Sequence, residues 1–252
     1  MKKKSILIFS ITVALYLLNQ LFLFLPALFY SSLAIGALLI ILLARRLITP
    51  FRKHGWLVWL ICPLLFWLSV SLYTTIITSY FFIQLIFLCI AWFIFSYFTT
   101  LSKYQIDNNQ DLHRKFDSLI LSGGFLICAA SGASLYGLSA FISWPTSLLL
   151  LLFLPIAILL FFQFAPLKKN FWSENKFLLP IVVLVLMELA IVLSFLPLNF
   201  NLLGFCLALG YYFLLTVMRF RWQDRLERRY LKGIIILSII IVFILFFSAR
   251  WL

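Results

Sequence analysis

Among seven acidic residues, only Glu188 falls inside a long apolar run, near the middle of the stretch 177–196. Holding an ionised carboxylate in hydrocarbon costs on the order of 3 kcal/mol by insertion scales, so this carboxyl is expected to be protonated or hydrogen-bonded to a neighbouring helix. Two roles fit a carboxyl at that depth. It is either a proton or cation site in a transport path, or a neutral acid that clamps two helices, with Ser, Thr, Tyr or Gln84 as partners.

A second group of chemistry-bearing residues lies in the polar stretch from Lys103 to Asp117, where Asp107 and Asp111 are four apart and His113 and Asp117 follow. On a helix the two aspartates would share a face and could hold a divalent cation through carboxylate oxygens. Asn108, Asn109 and Gln110 between them are turn formers, however, so the expectation is a solvated loop whose acids offset Arg114 and Lys115. No metal site is expected there. The third group is the run R-F-R-W-Q-D-R-L-E-R-R-Y-L-K from Arg219 to Lys232, the densest positive charge in the chain. Trp222, Leu226 and Tyr230 recur every four residues, and Asp224 pairs at i,i+4 with Arg228. Arg221, Arg225, Arg228 and Arg229 cover much of the remaining circumference. That pattern suits an interfacial helix pressed on anionic lipid, with the four arginines contacting head groups or phosphate.

Other chemistry is excluded by what is missing. There is no H-E-x-x-H, G-x-S-x-G, Walker loop or dinucleotide fingerprint, so no catalytic residue and no cofactor is indicated. Cys62, Cys89, Cys128 and Cys206 all lie in apolar runs without a C-x-x-C pair, which indicates neither a zinc site nor a disulfide framework.

The elements that would position these residues follow from composition. The chain is 65% hydrophobic and 11% charged, against about half apolar and a quarter charged in a soluble domain. Repeated apolar runs of bilayer-spanning length define an all-α, polytopic transmembrane helix bundle, a single integral membrane domain over 1–252 with no soluble domain. About nine spans are expected, near 5–22, 27–43, 56–73, 80–98, 118–141, 146–164, 177–196, 202–218 and 233–248.

Positive charge orients them. With these spans, nineteen of the twenty Lys and Arg residues fall in alternate connections and only Arg250 falls on the other side. Such segregation places the N-terminus in the cytoplasm and the C-terminus outside. The same clustering accounts for the net charge of +13 without nucleic acid as a partner. Lys2 to Lys4 followed by an apolar stretch resembles a secretory leader but lacks a small-residue cleavage site, so it reads as an uncleaved first helix. The 29 phenylalanines and the absence of a eukaryotic sorting motif point to a bacterial inner (plasma) membrane.

One span stands apart in its packing. The segment 118–141 carries small residues spaced by four at Gly124, Cys128 and Gly132, and again at Ala129, Ala133 and Gly137. Stripes of this kind let helix backbones approach closely in lipid. Gly204 with Ala208, and Cys206 with Gly210, repeat the pattern more weakly.

The leading expectation is therefore a non-catalytic, multi-pass membrane assembly or interaction component whose partners are lipid and another membrane protein or a further copy of itself. The alternative is a small-molecule permease with Glu188 as its coupling site. A third reading is a lipid-modifying enzyme at the cytoplasmic interface, which requires Asp107, Asp111 or Asp117 to converge with the arginines of 219–232.

Overall fold

Several helices stop where the apolar runs are interrupted by Pro, Asn or a polar cluster. The protein is described here by a computed structural model covering residues 2–47, 56–104, 110–143, 145–164, 177–222 and 236. Among these residues every regular element is helical: α1 Lys2–Phe24, a 3-10 turn Pro26–Leu28, α2 Phe29–Leu47, α3 Trp56–Thr74, α4 Tyr80–Tyr104, α5 Gln110–Ile142, α6 Thr146–Phe162, α7 Leu178–Ser194 and α8 Phe200–Trp222. Helices α1, α4, α5 and α8, together with α2 and the turn before it, are five segments long and apolar enough to cross a membrane; α3, α6 and α7 are shorter apolar helices. Of the expected ninth span, 233–248, only residue 236 is among the described residues.

Local chemistry sets the ends. Pro26 opens the turn after α1, where its missing N–H is no loss. Helix α5 stops at Ser143, which takes a positive φ of 56° just before Pro145. Asn199 caps α8: its Oδ1 accepts from the Asn201 backbone N–H at 3.0 Å, and its carbonyl accepts from Leu202 and Leu203. Pro63 and Pro155 lie inside α3 and α6 without ending them.

Two helices differ from the sequence expectation in one instructive place. Helix α4 runs on to Tyr104 and α5 already begins at Gln110, so most of the stretch read as a solvated loop is helical. A cluster of rings holds these ends. Phe116 is fully buried, with ring centroids 5.3 Å from Trp59, 5.3 Å from Tyr97 and 5.2 Å from Tyr104. The hydroxyl of Tyr97 donates to the carbonyl of Trp59 at 2.7 Å, tying α4 to α3.

The chain packs as two compact units, one of residues 1–127 with 162–169 and the other of 128–161 with 170–252. In the first, α1 packs on α2 and α4, and α3 packs on α2 and α4. The buried stripe of α1 is Ile8, Thr12, Leu15, Asn19 and Phe22, spaced by four and three as a helix face requires. Phe22 sets its edge against Phe29 of α2 and Phe87 of α4. Phe66 of α3 stacks on Phe93 of α4 at 3.9 Å, and the Trp67 indole crosses Gly36 to donate to the Leu33 carbonyl at 3.3 Å.

In the second unit α7 packs on α8, while α5 and α8 meet backbone to backbone. A Cβ on Gly204 would stand 2.5 Å from the Ala129 carbonyl oxygen and 2.5 Å from the Ala133 nitrogen. Gly132 faces Gly204 and Leu207 across the same contact. The Tyr211 hydroxyl donates to the Leu160 carbonyl, joining α8 to α6.

Candidate functional site

Glu188 is the eleventh of the 17 residues of α7, and its position around that helix decides what it can touch. Val182, Val183, Leu186, Ala190 and Leu193 form the buried side. Glu188 is exposed on the other side. Its neighbours at i±3, i±4 and i±7 are Ile181, Leu184, Val185, Ile191, Val192 and Phe195, and all six are exposed. One carboxyl is thus centred on an apolar stripe that faces away from the unit's own core.

The interior of the same unit contains a narrow apolar recess lined by Leu135, Tyr136, Leu149, Phe153 and Leu207, among others. It does not reach Glu188. The Tyr136 hydroxyl there donates to the Ala190 carbonyl at 2.8 Å, so the polar atom at its wall is engaged in tying α5 to α7. Of the small residues expected to mediate packing, Gly124, Cys128, Gly132, Ala133 and Gly137 are all buried along α5.

Strongly polar side chains missed as a group by the sequence reading gather in the first unit. Gln20 on α1 and Gln84 on α4 exchange side-chain hydrogen bonds, Gln20 Nε2 donating to Gln84 Oε1 at 2.5 Å and Gln84 Nε2 donating back to Gln20 Oε1 at 3.0 Å. Tyr16, one turn earlier on α1, directs its hydroxyl to Gln84 Oε1 at 3.4 Å. Asn19 is buried on the adjoining stripe of α1, and its Nδ2 has no hydrogen-bond partner; neither has the buried Ser71 Oγ of α3. The sequence carried the signal, since Asn19 and Gln20 are the only amides in an otherwise apolar first segment.

Pairing makes the two glutamines interdependent. Gln84→Leu is expected to lower stability by about 1–2 kcal/mol, because it leaves the Gln20 amide without its partner in an apolar setting. The double replacement Gln20→Leu with Gln84→Leu is expected to recover most of that loss. Unfolding of all four combinations in one detergent measures the coupling, and simple additivity would refute the pair's contribution.

The remaining candidates do not form a centre among the described residues. Asp111 and His113 are exposed in the first turns of α5, with the His113 ring edge-on to Tyr104 at 4.4 Å, while Asp117 is half-buried. Asp107 lies outside the described residues, as do Arg225, Arg228 and Arg229; Arg221 ends within α8 and only its backbone is described. No group of three or more His, Cys, Asp or Glu among the described residues is placed to hold a metal ion. Cys62, Cys128 and Cys206 are buried as free thiols and Cys89 is exposed on α4.

Fold and site together define a class: among the described residues every regular element is helical, and five helices are long and apolar enough to cross a membrane. No protein-family model, curated protein or solved structure matches the chain.

Proposed function

We propose that this is a multi-pass component of a bacterial plasma membrane that works by contact rather than by catalysis, meeting another membrane-embedded helix on the stripe of α7 centred on Glu188. The nine-span arrangement with a cytoplasmic N-terminus and an external C-terminus goes with this reading, supported by the segregation of the basic residues. The single observation that carries the proposal is the outward position of Glu188 among Leu184, Val185, Ile191 and Val192. A carboxyl facing hydrocarbon has no water to satisfy it, so a helix that supplies a hydrogen-bonding group is bound more tightly than lipid there.

The same position weighs against a permease path at this carboxyl, because a coupling site should line a cavity within the bundle. The cytoplasmic arginines at 221, 225, 228 and 229 would hold the protein against anionic lipid.

The test is a photo-activated cross-linking residue placed at Leu184 in the full-length protein, in native membranes. Protein adducts are expected, and they are expected to fall sharply when Glu188 is replaced by Leu. Adducts formed with lipid alone would overturn the assembly reading. Labelling of the 103–117 and 219–232 regions from outside intact cells would overturn the orientation.

A further inference from the structure

The stripe on α7 constrains the chemistry of whatever covers it. Its apolar members ask for a hydrocarbon surface with branched and aromatic side chains, and Glu188 at its centre asks for one polar group at one depth. A membrane helix chosen at random does not supply that group. Basic side chains, the obvious complement of a carboxylate, are confined in this chain to the ends of the apolar runs. As the neutral acid, however, a carboxyl is its own complement: it has one O–H to donate and one carbonyl oxygen to accept.

Resting on the assembly reading above, we propose that the partner on this stripe is a second copy of the same chain, joined as a two-fold dimer in which the two Glu188 side chains form a carboxylic acid pair. Each O–H donates to the carbonyl oxygen of the other. Symmetry supplies what a foreign helix would have to evolve. Two copies inserted with the same topology hold Glu188 at the same depth, and a two-fold axis along the membrane normal makes the apolar stripe face itself. Leu184 and Val185 pack one turn to one side of the acid pair, and Ile191 and Val192 one turn to the other, excluding lipid from the hydrogen bonds. The apolar residues alone give little discrimination, since lipid tails match them; the acid pair sets the register.

Full-length protein carrying one fluorophore, reconstituted into phosphatidylethanolamine and phosphatidylglycerol vesicles over a range of protein-to-lipid ratios, reports dimers by stepwise photobleaching. The wild type is expected to shift to two-step traces as density rises. Glu188→Gln, whose amide also donates and accepts, is expected to stay within about threefold of the wild-type association constant, and Glu188→Leu to associate about tenfold more weakly or worse. Equal helical content and unfolding temperature for the three proteins confirm that Leu has changed the contact and not the fold. One-step traces for the wild type at every density would overturn the dimer, as would undiminished pairing of Glu188→Leu. If the purified protein is monomeric while the Leu184 cross-linker captures a different membrane protein in a Glu188-dependent way, the second copy falls and the assembly reading stands. If the cross-linker finds only lipid, both fall.

Discussion

Gly204→Ala is expected to destabilise the protein by about 1–3 kcal/mol, although Gly to Ala within a helix ordinarily gains about 1 kcal/mol in propensity. The sign is decided by what the new methyl meets. At position 204 it meets backbone: the Ala129 carbonyl oxygen and the Ala133 nitrogen, each at 2.5 Å, with the Ala133 Cβ at 2.8 Å. Neither backbone atom can turn aside, so α5 and α8 must move apart along their contact. In lipid that separation is costly because close van der Waals contact, not burial from water, joins the helices.

Six residues along, Gly210 is the control, since a methyl there meets the Leu189 Cδ2, the far end of a flexible side chain. Leu189 can change rotamer, so Gly210→Ala is expected to be near neutral or slightly stabilising. Ala133→Gly in the Gly204→Ala background removes only the methyl-methyl contact and is expected not to rescue. Thermal unfolding of the four proteins in one detergent checks the set. Equal behaviour at 204 and 210 would show that the close approach of α5 and α8 does not matter for stability.

Much of the helical layout was legible because a bilayer-length apolar run admits few other structures. The described helices α1 to α8 each lie on one of the apolar runs, but α4 and α5 continue past theirs, and α3, α6 and α7 are shorter than the five bilayer-length segments. Azimuth was harder to read. Glu188 was identified by depth, yet every residue around it is apolar, so the hydrophobic pattern of 177–196 cannot distinguish its packed side from its exposed one. The partners of small residues were similarly hidden: spacing by four singles out Ala129, Ala133 and Gly204, but that they meet each other is a property of the packed helices. Gln20 and Gln84 lie 64 positions apart, and their reciprocal amide pair needs α1 and α4 side by side.

Phe116→Ala bears on the one stretch where polarity misled the reading, and a loss of about 3–5 kcal/mol is expected. Between Lys103 and Asp117 the sequence is rich in Asn, Asp, Gln and charge, which reads as a loop at the membrane surface. Helices do not end where hydrocarbon does, and a few large rings suffice to prolong them. Tyr104 and Phe116, the aromatic residues near the ends of that stretch, close against Trp59 and Tyr97, and Phe116 is left with no exposed surface. Truncating it to a methyl removes ring contacts on three sides and leaves a cavity that the tied Tyr97 hydroxyl and Trp59 carbonyl restrain from collapsing. Phe116→Leu keeps most of the volume and is expected to lose much less. A side chain in a solvated loop would instead change stability by no more than about 0.5 kcal/mol. The size of the loss, measured by unfolding in detergent, therefore separates the two pictures. Trypsin cleavage after Arg114 and Lys115, both exposed on α5, supplies an independent readout. It should be slow in the wild type and accelerate in Phe116→Ala as the first turns of α5 detach from the ring cluster. Equal cleavage rates with unchanged stability would mean that these turns do not depend on the cluster.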